Sequence, residues 1–306
     1  MPGEDAEAAA RSLLIIEQGG LPPAATARLQ ENAARQNTPK HLFTSNLSVN
    51  EFVLTHQCGY EPLGQVMGTT VYHVGFQWMP GQTWGYVDPM TGLPMPQELD
   101  VLTSAYVHAR ELTFNRLRQE AALLRADGVV GVRFERISGD LPAGSFEFKA
   151  VGTAVRRRNA PPSQGDIFVS NLNGQDHWML RAAGMKPVGF VFGTCCWYQV
   201  SGWRNQMLDG GSWVNRELPD FTQGVYTARE LALERMEMES RRLGARGVVG
   251  VVIDPEMEFV EAGNNNARRD LIVKFTIYGT AIDWEPGTTP TTQITPIVSL
   301  MDEPPT

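Results

Sequence analysis

The chain has 306 residues, of which 42% are hydrophobic and 20% charged, and its net charge is −8. This composition is typical of a globular protein of about two domains. The sequence has no cluster of Lys and Arg larger than Arg156–Arg158, no run of 18 apolar residues and no basic leader segment, so we expect no nucleic-acid partner, no membrane span and no export. Three cysteines, two of them adjacent, do not form a disulfide framework, and a cytoplasmic location fits best.

The first 40 residues form an N-terminal extension. Two short helices are predicted, at residues 5–17 and 24–35, and a Gly-Pro-rich break at residues 19–23 separates them. Helices of this length are marginal in water unless they pack against something. We therefore expect the extension to dock either on the body of the protein or on a partner.

An internal repeat accounts for most of the remaining chain. Ala-Arg-Glu-Leu at 109–112 returns at 228–231, and Gly-Val-Val-Gly-Val at 128–132 returns at 247–251, with the same 18-residue step from Arg to Gly. Shorter matches, Ser-Asn-Leu and Gly-Thr-Ala, flank these segments in both copies. A fixed period indicates one structural unit used more than once.

The repeat predicts the domain organisation. The first domain covers residues 41–158, a Pro-rich linker covers 159–165, and the second domain covers 166–285. The C-terminal tail, 286–306, is rich in Pro and Thr and is predicted to be disordered.

Within each copy the pattern predicts strand, strand, variable loop, long helix, strand, strand. The helices are expected at about 99–126 and 221–245, where apolar residues recur with helical spacing. Two i,i+4 charge pairs, Arg116/Glu120 and Arg235/Glu239, are expected on the outer side of these helices.

The strands after each helix alternate between apolar and polar residues, which favours an antiparallel sheet with one buried face. The residues expected to face inward are Val130, Val132, Phe134, Phe146, Phe148 and Ala150 in the first copy and Val249, Val251, Ile253, Val273, Phe275 and Ile277 in the second. The predicted fold class is α+β, with two tandem copies of a small antiparallel sheet packed against one long helix.

The candidate metal ligands are Cys195, Cys196, His73 and His108. The two cysteines are adjacent in a predicted strand, so their side chains should point to opposite faces, which favours small buried residues over a shared ion. His73 ends a strand and His108 lies early in the helix, so the two could converge. Ordinary histidines remain the simpler interpretation.

The candidate interface residues fall into two groups. Arg110-Glu111 and Arg229-Glu230 occupy the same repeat position, and a charged pair early in a helix can anchor a loop or contact a neighbouring subunit. Aromatic residues on the variable loops are either contact anchors or lids over small cores. The tryptophans in question are Trp78, Trp84, Trp203 and Trp213.

Each copy resembles the YbjQ-like family of small bacterial proteins, labelled as heavy-metal-binding domains. The resemblance rests on Ala-Arg-Glu-Leu opening the long helix, on the segment from Leu124 to Val132, repeated from Leu243 to Val251, and on the closing Gly-Thr-Ala. It implies an α+β sandwich that assembles into rings, with pentamers expected for single-domain members.

These features favour a non-enzymatic, ring-forming scaffold or interaction protein, since no catalytic constellation is recognisable. Its loops or termini would contact a protein partner. The alternative is heavy-metal binding or sensing, with a transition metal held by cysteine and histidine. Because the unit is duplicated, five chains could stack two rings, or the two copies could alternate within one ring.

Overall fold

The computed structural model describes residues 2–36, 38, 44–77, 95–137, 141–142, 144–158, 166–202, 215–262 and 268–285. Within these ranges the chain forms helices and two four-stranded sheets, which confirms the predicted α+β class. The predicted linker and the predicted C-terminal tail lie outside the described residues. We call residues 44–158 the first half and residues 166–285 the second half.

The helices are α1 (Pro2–Glu17), α2 (Pro23–Arg35), α3 (Val49–Gln57), α4 (Asp100–Leu123), α5 (Gly174–Ala182) and α6 (Pro219–Arg242). The strands are β1 (Tyr60–His73), β2 (Gln97–Glu98), β3 (Gly128–Ile137), β4 (Ser145–Arg157), β5 (Phe168–Val169), β6 (Met185–Gln199), β7 (Gly247–Ala262) and β8 (Arg268–Trp284). None of the helices in these ranges is long and apolar enough to cross a membrane.

The two sheets exchange short edge strands. The first has the order β1-β4-β3-β5, and β5, which comes from the second half, pairs with β3 in parallel. The second has the order β2-β6-β8-β7, and β2, which comes from the first half, pairs antiparallel with β6. Each half therefore contributes backbone hydrogen bonds to the sheet of the other.

The N-terminal extension forms the two predicted helices and docks on the first half. Leu29 of α2 is buried in the main apolar core. The guanidinium of Arg116, on α4, donates to the main-chain oxygens of Ile16 and Gly20 at 2.9 and 3.3 Å. Both helices are thereby anchored to α4.

The two strands predicted before each long helix are very unequal, because β2 before α4 and β5 before α6 have only two residues each, and a short helix was not predicted. The structure has a short helix followed by one long strand in both halves: α3 and β1, then α5 and β6. Helix α3 begins with a capping box in which Ser48 and Glu51 satisfy each other's main-chain N–H groups. A capping box at this spacing is a sequence signal for a helix start.

Inward packing is confirmed in the first half and for β8, but not for all of β7. Val130, Val132 and Phe134 are at most 6% exposed. Val251 and Ile253, at the repeat positions of Val132 and Phe134, are 43% and 51% exposed. The physical reason is that the second half covers Phe134, whereas no described segment covers Ile253.

The charged pairs predicted on the outer side of the long helices are instead covered. Arg116 and Glu120 are 9% and 4% exposed, beneath the N-terminal extension. Arg235 and Glu239 are half-buried where α6 meets the first half. Helical spacing identified the pairs correctly but could not show which neighbouring segment packs over them.

Candidate functional site

The adjacent cysteines lie on opposite sides of β6, as the strand geometry predicts. Cys195 packs under α6 in the second core, while Cys196 packs against the first half, and both are fully buried. Burial raises the pKa of the Cys196 thiol to about 12 and also raises that of Cys195. Because the thiolate is the form that binds metals, these surroundings disfavour a thiolate site.

His73 and His108 do converge. Both line an open cavity at the start of α4, together with Asp100. The Nδ1 atom of His73 lies 3.2 Å from the hydroxyl oxygen of Ser145. Among the described residues no group of three or more His, Cys, Asp or Glu side chains is arranged to hold a metal ion.

A different histidine, His177 on α5, has the unusual environment. It is 4% exposed, and its Nε2 has no hydrogen-bond partner in the described part of the chain. Burial lowers its pKa to about 4. Nothing in the sequence spacing around His177 indicates that this residue is buried.

We expect His177 to make stability depend on pH. The unfolded chain binds a proton at this imidazole below about pH 6.5, whereas the folded chain binds it only near pH 4. The free energy of unfolding should therefore fall by about 3 kcal/mol from this group as the pH drops through that window. Urea unfolding of wild type and His177→Leu at pH 7, 5.5 and 4.5 measures the difference. Identical pH slopes in the two proteins would refute this prediction.

The most extensive functional candidate is the contact between the two halves. The Glu98 carboxylate, at the end of β2, accepts two hydrogen bonds from the Arg235 guanidinium at 2.6 and 2.7 Å. Burial alone would raise the pKa of Glu98, but the hydrogen bonds from Arg235 and Thr103 and the charge of Arg235 together hold that pKa below its ordinary value. Bidentate pairing of this kind fixes orientation as well as contributing energy.

A second ion pair lies one helical turn away. Arg110 of α4 donates to Glu239 of α6 at 3.0 Å, and its guanidinium lies 5.0 Å from the centre of the Phe192 ring. Only 12% of the Arg110 side chain is exposed. Arg110 thus lies in the contact between the two halves of one chain, whereas Glu111 beside it is exposed.

Aromatic rings from both halves also pack against one another in this contact. Phe114 of α4 stacks on Phe190 of β6 with ring centres 4.4 Å apart. Phe134 of β3 lies 5.9 Å from Phe192 and 5.4 Å from Tyr278, both edge to face. Such pairs contribute beyond their buried area, so the contact is a continuous apolar core with charged pairs at its rim.

The repeat partners of these residues are not in the same environment. Arg229, the counterpart of Arg110, is exposed and lies 3.9 Å from its neighbour Glu230, which is also exposed. The guanidinium of Arg229 lies 6.0 Å from the centre of the Tyr226 ring, and α6 and β7 also carry several exposed apolar side chains. They are Tyr226, Val251, Val252, Ile253, Met257 and Phe259. The predicted contact residues Trp78, Trp84, Trp203 and Trp213 lie outside the described residues.

Comparisons with known proteins agree with the duplicated architecture. A YbjQ family model, described as "Putative heavy-metal-binding", matches residues 186–285. The encapsulin nanocompartment protein Rv1762c of Mycobacterium tuberculosis is 42% identical over 241 residues, covering 77% of this chain and 84% of that protein. A UPF0145 protein of Thermus thermophilus is 38% identical over 74 residues, covering 24% of this chain and 56% of that protein. A UPF0145 protein of Methanococcus maripaludis is 44% identical over 62 residues, covering 20% and 54%. The chain belongs to the YbjQ-like family and carries its module twice.

Proposed function

We propose that this protein is a non-enzymatic structural component whose copies assemble into a closed ring. The observation that carries the proposal is the exposed apolar surface along β7 and α6. Ile253 is 51% exposed and Phe259 59% exposed, on a strand that continues a well-packed sheet. Ile253, Met257 and Phe259 pair with Ile277, Val273 and Leu271, so these three exposed apolar side chains lie on the same face of the sheet. Exposed apolar surface of this kind marks a protein interface.

The relatives support the same conclusion. The Mycobacterium tuberculosis relative is named an encapsulin nanocompartment protein. By analogy with that name, we propose that this chain also assembles with other copies of itself. The family resemblance implies five-membered rings, so we propose a ring of five chains in the cytoplasm. Residues 41–158 and 166–285 would be its repeating domains, with 159–165 as linker and residues 1–40 and 286–306 as extensions.

The candidate residues retain distinct roles in this proposal. Arg110 and Glu111 belong to the contact within the chain, and Arg229 and Glu230 to the contact between chains. Trp78, Trp84, Trp203 and Trp213 remain the predicted anchors for a protein partner. Heavy-metal binding has less support, because Cys195 and Cys196 diverge and the described residues form no ligand cluster.

Native mass spectrometry of the full chain at micromolar concentration tests the proposal. We expect one dominant particle whose mass is five times that of the 33.8 kDa chain. A closed ring gives one sharp mass, whereas an open head-to-tail contact gives a broad series. A spectrum containing only the single chain would refute the proposed function.

A further inference from the structure

The contact between the two halves has two sides, which we name by their residues. The forward face is the side contributed by the first half, marked by Glu98, Arg110 and Phe134. The receiving face is the side contributed by the second half, marked by Phe192, Arg235 and Glu239. Within one chain, the forward face of the first half occupies the receiving face of the second.

The repeat places both faces in both halves. In the second half the forward-face positions are Glu217, Arg229 and Ile253. All three are exposed. In the first half the receiving-face positions are Met67, Arg116 and Glu120. The forward face of the second half and the receiving face of the first half therefore take no part in the contact between the two halves of one chain.

The chemistry of the two remaining faces is complementary. Glu217 and Arg116 occupy the repeat positions of Glu98 and Arg235, so the Glu98–Arg235 ion pair predicts an ion pair between Glu217 and Arg116. The pair Arg110–Glu239 likewise predicts Arg229 against Glu120. Ile253 replaces Phe134 and Met67 replaces Phe192, so the apolar centre of the contact is retained. Apolar centres with charged rims are typical of specific interfaces.

The edges of the sheets agree with this pairing. In the first half, the space beside Gly128 on β3 is filled by the Phe168 ring of β5. At the repeat position, Gly247 on β7, the nearest described atom to a built Cβ would be 4.0 Å away. Among the described strands, β7 has a neighbour on one side only. A strand edge of this kind is a template for another chain.

We propose that the forward face of the second half docks on the receiving face of the first half of another copy, so that the halves alternate around one ring. With five chains this ring contains ten modules, twice the number in the rings implied for single-domain members of the family. This proposal rests on the proposed ring assembly and adds its orientation and its partner, a second copy of this chain. The contact is heterologous, because two different surfaces meet, and heterologous contacts close into rings when the rotation allows.

The N-terminal extension covers the receiving face of the first half. The main-chain oxygens of Ile16 and Gly20 accept from Arg116, as Glu98 accepts from Arg235. Arg28 lies 3.8 Å from Glu120, where Arg110 lies 3.0 Å from Glu239. A cavity of about 500 Å³ remains beneath the extension. In the proposed ring, a second copy displaces the extension from this face.

Two substitutions, one on each face, test the orientation. Ile253→Asp places a charge on the exposed forward face of the second half. Val71→Asp places a charge on the receiving face of the first half, because Val71 lies beside Met67 on β1 and is 61% exposed. Each variant alone should give the 33.8 kDa single chain. Mixed in equal amounts, they should form a complex of two chains and nothing larger, because each retains one intact face. Val49→Asp, on an 80% exposed helix start, is the matched control and should keep the wild-type mass.

The outcomes separate this inference from the proposed function. If wild type assembles and Ile253→Asp keeps the same mass, the orientation is wrong while the ring proposal survives. If the mixed variants stay single, the complementarity of the two faces is wrong. In wild-type particles, amide hydrogens of residues 23–35 should exchange faster than in the single-chain Ile253→Asp variant. Equal rates would overturn the displacement of the extension.

Discussion

Replacing Gly193 with alanine is expected to lower the free energy of unfolding by about 3 kcal/mol or more. A Cβ built on Gly193 would lie 1.9 Å from the main-chain oxygen of Ala232 and 2.8 Å from the main-chain nitrogen of Met236. Both atoms belong to the backbone of α6, so relief requires the whole helix to move away from β6. Such a movement would open the second core.

The same prediction holds in the first half, which makes it a test of the repeat. A Cβ on Gly68 would lie 1.9 Å from the main-chain oxygen of Thr113 on α4. Gly75→Ala is the control, because the nearest atom to its Cβ is the side chain of Val101 at 4.0 Å. Urea unfolding followed by circular dichroism compares the variants. If Gly68→Ala and Gly193→Ala unfold within 1 kcal/mol of the control, the helices are not held at this distance by the glycines.

Much of the fold was predictable because helical and strand periodicity extend over long segments. The long helices α4 and α6 and the alternating strand β8 follow from spacing alone. The short helices α3 and α5 were missed, although Ser48 and Glu51 form a recognisable capping box. A nine-residue helix has too few turns for periodicity to distinguish it from a strand.

The candidate site was only partly predictable, because it depends on which segments meet. The two-residue strands β2 and β5 have no periodicity, so the exchange between sheets leaves no local signal. Arg110 and Arg229 share a repeat position, yet only the guanidinium of Arg110 is covered. Identical sequence words therefore predicted the same backbone but not the same neighbours.

Phe134 and Ile253 occupy the same repeat position but differ in burial, since they are 6% and 51% exposed. The Phe134 ring lies within 6.0 Å, centre to centre, of five aromatic rings from both halves, those of Phe114, Phe148, Phe190, Phe192 and Tyr278. Phe134→Ala should therefore lower the free energy of unfolding by about 3–5 kcal/mol, because the cavity opens in the centre of the contact.

Ile253→Ala, at the same repeat position, is the matched comparison. A fully buried isoleucine truncated to alanine loses about 2–5 kcal/mol, but Ile253 is 51% exposed, so we expect a loss of less than about 1 kcal/mol in the single chain. Both variants are best measured by urea unfolding with Val71→Asp present, which removes the contact between copies. Without Val71→Asp, Ile253→Ala should instead weaken assembly, since the next copy would then bury Ile253 as the second half buries Phe134. Equal losses for the two variants in the single chain would mean that the second half already covers its own forward face, and the ring would need a different surface.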